Sequence, residues 1–168
     1  MHESPSRLAA AALILSLATV AQAQSPEPMP IGFGSFFRQP IGPRGLELSD
    51  ALHEADGRRV RLVGYMVAQE RPLPGRFLFT PRPVRMSEDA DGDADDLPPS
   101  TVSVLLDGSQ SDRIVAHQGG LLSLVGRLAV GRTEDDSGRV SWFRLLLDPA
   151  AISDVRPTTV SQTQPHLR

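Results

Sequence analysis

The residues with the most chemical potential lie close together in the middle of the chain. Glu88, Asp89, Asp91, Asp93, Asp95 and Asp96 place six carboxylates within nine residues. An oxygen-rich loop of this kind is the raw material of a calcium site, which gathers six to eight oxygens around the ion. The spacing of a helix–loop–helix calcium hand fails, however. Setting Gly92 at the turn glycine puts Ser87 at the first ligand position and Pro98 where a bidentate Glu is required. The expectation is a solvated acidic insertion over residues 86–98, with no metal and no cofactor. Just before it, Arg71, Arg76, Arg82 and Arg85 alternate with Pro72, Pro74, Pro81 and Pro83. Guanidinium forks suit carboxylate-bearing ligands. The candidate partner-binding residues are therefore Arg76, Arg82, Arg85, Asp95 and Asp96; the competing reading is that these charges neutralise one another as weak surface pairs.

No catalytic set accompanies them. The nucleophile-elbow, zinc-protease and phosphate-loop patterns are absent. His53, His117 and His166 are scattered, and the chain has no cysteine, which removes disulfides, thiolate metal sites and thiol nucleophiles. Adjacent acids such as Asp95 and Asp96 lack the differing environments that split acid and base roles. A non-enzymatic protein is expected. The net charge of −3 argues against general affinity for nucleic acid or anionic lipid. All seventeen basic residues are Arg, a bias that arginine-rich codon usage also produces.

The elements that would position these residues begin with an address. Leu8 to Val20 is thirteen uncharged residues after Arg7, short of the roughly 20 needed to span a bilayer, and Ala21-Gln22-Ala23 supplies small residues for cleavage. Residues 1–23 read as a signal peptide, removed to leave a periplasmic or secreted protein with no stable membrane insertion. Residues 24–45 form a leader in which prolines at 26, 28, 30, 40 and 43 deny a helix. Phe33, Phe36 and Phe37 within it are expected to pack on the main domain, the alternative being an exposed apolar patch.

The main domain spans residues 46–150, and residues 151–168 read as a tail. Leu48, Ala51, Leu52 and Ala55 follow the spacing of one helix face, with Ser49 as N-cap and Gly57 as stop. Five strand-like stretches follow: 60–67, 76–80, 101–106, 121–130 and 139–147. Val60, Leu62, Leu122, Leu124 and Trp142 are expected in the core. Gly64 and Gly126 sit inside strands, where small barrels bend sharply. The fold class is mostly β: a small five-stranded barrel like the oligonucleotide/oligosaccharide-binding (OB) fold, with one short N-terminal helix. A small sandwich or half-open roll remains the alternative.

Several segments in order carry a family resemblance: 57–67 (Gly-Arg-Arg-Val-Arg-Leu-Val-Gly-Tyr-Met-Val), 75–84, 94–99 and 138–142. Across Leu46 to Asp148 the chain resembles an uncharacterised family of exported bacterial proteins with an OB-like barrel. The resemblance implies fold and export, and no activity. Some relatives carry a Cys and a His between the second and third strands; here that stretch holds Ser87, Glu88 and the Asp run instead. The functional expectation is a binding or assembly module of the bacterial cell envelope with an exported protein as partner. The alternatives are an OB-type oligosaccharide or nucleic-acid binder, and a calcium-dependent or hydrolytic protein using the acidic insertion.

Overall fold

The structure, a computed structural model, describes residues 26–86, 97–135 and 138–149. The strands are β1 (Met29–Ile31), β2 (Arg59–Met66), β3 (Ala68–Gln69), β4 (Arg76–Thr80), β5 (Arg85–Met86), β6 (Val102–Leu105), β7 (Leu122–Glu134) and β8 (Val140–Leu147), with one helix, α1 (Asp50–Ala55). The described chain is mostly β. Each of the five expected strand stretches overlaps an observed strand, β2, β4, β6, β7 and β8, and β7 runs on to Glu134, four residues past its expected end. β1, β3 and β5 are additions of two or three residues, too short to leave a periodic signature. Residues 1–23, read as a signal peptide, residues 151–168, read as a tail, and most of the acidic stretch 86–98 lie outside the described residues.

The main sheet is mixed. Its order is β1-β2-β4-β6-β8-β7, and β7 also pairs with β2, so the hydrogen-bonded neighbours from β2 onward return to β2, with β1 added beside it. β2–β4, β4–β6, β2–β7 and β7–β8 are antiparallel; β1–β2 and β6–β8 are parallel. β7 serves two partners. Its first half lies along β2 and its second half along β8, with Gly126 aligned to both Val60 and Leu147. An added Cβ at Gly126 would run into the Leu146 carbonyl, so the close approach there requires glycine. A register shift between Val130 and Thr133 contains Gly131 at φ +139°, which lets the strand bend as a bulge does.

The pleat decides the core. Val60 and Leu62, Phe77 and Phe79, Val102 and Val104, Leu122, Leu124 and Leu128 all point inward from alternate positions of their strands. Trp142 is the exception to expectation: it is 52% exposed. On β8 the inward side belongs to Phe143, Leu145 and Leu147, and Val140, Trp142 and Leu146 face out. Both sides of this strand are apolar, so alternation alone does not tell them apart.

The leader completes this core. Phe36 is fully buried and Phe33 nearly so, with ring centroids 5.3 Å apart; Phe36 also meets Phe143 edge-on at 5.0 Å. A Cβ on Gly64 would lie 2.6 Å from the Phe33 ring, so the glycine opens the place that this ring fills. α1 begins where Ser49 Oγ accepts the Leu52 amide at 3.0 Å, and the same hydroxyl donates to the Ser35 carbonyl. Leu52 and Ala55 are buried, whereas Ala51 is exposed, so the buried face is narrower than the spacing suggests. Gly57, at φ +71°, turns the chain out of the helix and donates its amide to the Leu128 carbonyl at 2.8 Å. Among the described residues no helix is long and apolar enough to cross a membrane.

Candidate functional site

The outward positions of β4, β6 and β8 form the most distinctive surface. Cross-strand register lines up Leu78 with Ser103 and Ser103 with Arg144. This row mixes types that a purely solvated face would not: a buried Leu, a small hydroxyl and a guanidinium. Leu78 is 6% exposed although it points away from the main core cluster. Ser103 leaves the middle of the row low. The result is a cavity of about 360 Å³, lined among others by Arg76, Leu78, Ser103, Arg139, Ser141 and Arg144. A second, of about 400 Å³, shares Leu78, Ser103, Arg139 and Ser141 and adds Trp142 and Pro98. Together they make one groove across the three strands.

Two connections wall it. On one side the turn between β7 and β8 is held by the Asp135 amide donating to the Arg139 carbonyl at 3.0 Å and the Arg139 amide donating to Asp135 Oδ1 at 3.1 Å. Arg76 Nη1 also donates to Asp135, which ties β4 to this turn. On the other side Gly75, at φ +69°, packs so close to Ser111 that a Cβ would run into its carbonyl. The Gly75 amide donates to Arg113 at 2.8 Å, and its carbonyl accepts from Leu106 at 2.9 Å. The 3-10 turn Gly108–Gln110 follows, capped by Asp107. Hydrogen bonds from the Ser109 hydroxyl, and then from the Ser109 amide, hold the Asp107 carboxyl below its ordinary value of 3.8.

Electrostatically the groove is basic within an acidic protein. Its described lining carries three arginines and one carboxylate, Asp135, which is engaged by Arg76. Arg139 and Arg144 have no ion pair among the described residues, and Arg144 Nε is buried without a hydrogen-bond partner. A buried donor left unpaired is costly, and a ligand that accepted from it would remove that cost. Guanidinium, hydroxyl and exposed indole groups bind by hydrogen bond, charge and stacking.

The sequence-derived candidates are dispersed. Arg76 lines the groove, with Asp135 as its partner. Arg85, on β5, lines a different cavity beside His117 and Tyr65, and Arg82 is exposed in the turn after β4, where its carbonyl accepts from Thr80 Oγ1. Asp95 and Asp96 lie outside the described residues. Ser103, Arg139, Trp142 and Arg144 were not among the candidates, and Trp142 was expected in the core; what brings Ser103 beside Arg144 is the β6–β8 register, which no local pattern shows. His53 Nδ1 lies 2.8 Å from the Ser49 carbonyl and His117 Nε2 lies 3.2 Å from that of Met66. Among the described residues no three His, Asp or Glu side chains gather as a metal site would require.

No protein-family model matches the chain, and no curated protein matches it. Among solved structures it is similar to the crystal structure of a DUF3299 family protein from Pseudomonas aeruginosa PAO1, at 15% identity and a TM-score of 0.41, covering 73% of this chain and 93% of that one.

Proposed function

We propose that the protein is an exported, non-enzymatic binding module of the bacterial cell envelope that holds a partner in the groove across β4, β6 and β8. The observation that carries this reading is the groove itself, with Arg139 and Arg144 unengaged beside an exposed Trp142. Export is supported by the uncharged Leu8–Val20 stretch before Ala21-Gln22-Ala23. The fold reading is an OB-like barrel. It is supported by the return of five strands to their start in the order β2-β4-β6-β8-β7 and by the mixture of parallel and antiparallel pairs, which suit a five-stranded Greek-key barrel. The resemblance to exported proteins of unknown function points the same way.

A photo-crosslinking side chain placed at Trp142, in the producing bacterium, tests the proposal against one placed at Val63, which is also exposed but lies on β2. The expected outcome is a discrete cross-linked product from position 142, recovered with the periplasmic fraction, and none from position 63. Equal labelling at both positions, or recovery from the cytoplasm, overturns it. Trp142 also supports a second reading, an oligosaccharide or single-stranded nucleic acid stacked on the indole.

A further inference from the structure

The groove presents charge and apolar surface side by side, and this pairing narrows its ligand. Arg139 is exposed at the rim, Arg144 is half-buried in the β6–β8 row, and Asp135 is held by Arg76. Two guanidinium groups thus stand unengaged in a cavity whose only described acid is occupied. A planar carboxylate matches such a fork in geometry and charge. Leu78 on the floor and Trp142 on the wall offer apolar contact next to it.

The remaining features separate the classes of acidic ligand. A polyphosphate chain brings one charge per nucleotide and meets a protein of net charge −3, whose field opposes it. Proteins that hold single strands also stack successive bases on several aromatic rings, whereas the described lining of this groove offers Trp142 and Phe77, and Phe77 is turned into the core. An extended peptide with an acid and an apolar side chain two residues apart brings few charges and turns both toward the same surface. Building on the groove reading above, we propose that its occupant is an extended acidic peptide segment of a partner protein, with a carboxylate engaged by Arg139 and Arg144 and an apolar side chain against Trp142 and Leu78.

Trp142 is the chain's one tryptophan, so intrinsic fluorescence reads the groove directly. The full chain is titrated with a short peptide of repeating Asp-Ser-Leu-Ser, its Asn-Ser-Leu-Ser counterpart, oligothymidylate, and an oligogalacturonate. The acidic peptide is expected to shift the emission saturably, with the Asn counterpart at least about tenfold weaker, because the charge-assisted bonds are lost. Arg139→Gln and Arg144→Gln should each weaken the acidic peptide and leave the Asn peptide unchanged. Arg139 is exposed, so that variant keeps the test valid if the change at Arg144 disturbs folding. Equal binding of the two peptides, or tighter binding of oligothymidylate or oligogalacturonate, overturns the proposal. If cross-links at position 142 persist while the acidic peptide fails, the ligand class is wrong and the groove reading stands. If both fail, the groove reading falls as well.

Discussion

Leu124 is fully buried on β7, in register with Leu62 of β2, which is buried to the same degree. Leu124→Ala is expected to cost about 2 to 5 kcal/mol, the lost transfer energy plus the cavity left behind. Denaturant unfolding measures it, and an unchanged midpoint would contradict this packing. The inward positions of β2 and β7 were legible because charged or small residues stand between them: Arg59 and Arg61 on one strand, Ser123 and Arg127 on the other. Trp142 and Phe143 were not, because neighbouring apolar residues occupy both sides of β8. The groove residues were harder still. Arg144 becomes a site residue through the β6 strand beside it, and nothing local to 139–147 states that Ser103 will be its neighbour.

Ser49 shows how much one side chain does at the scale of an element. Its oxygen caps α1 through the Leu52 amide, and its proton goes to Ser35 in the leader, so a single hydroxyl joins two segments. Ser49→Ala should lower stability by about 0.5 to 2 kcal/mol, with Ser49→Thr retaining most of it. Paired thermal melts of the two variants check this; equal losses would mean that the hydroxyl contributes little. Cap and stop were both readable, since Ser49 and Gly57 frame a short apolar spacing. β1 was not readable. Pro30 sits in the middle of its three residues, a position tolerated where a strand has a free edge, and only its parallel register with Val60 to Leu62 makes it a strand.

At the scale of the whole molecule the leader belongs to the core. Phe36 is fully buried, contacts Phe143 and Phe33, and lies in a segment whose prolines and glycines suggest an appendage. Phe36→Ala should cost about 3 to 5 kcal/mol, comparable with loss of a Phe from a central strand. Calorimetric melting would show it, and a melt unchanged by the substitution would contradict the expected packing of the leader on the main domain. The mostly β class and the five main strands were legible in the sequence because each is a local pattern. Their order was not, because it depends on pairings between distant segments.

The place of β8 has a consequence for how the molecule is made. It lies between β6, its parallel neighbour, and β7, its antiparallel one, and is the last strand among the described residues to leave the ribosome. Until it arrives, β6 and β7 each keep an unpaired edge, and open edges are templates for association with other chains. The β6–β8 contact spans the whole of β7, so its formation carries the loop-closure entropy that slows non-local topologies. The residues before Val140 contain both partners of the β2–β4, β4–β6 and β2–β7 pairings. Docking of β8, more than early collapse, is therefore the event that closes both edges.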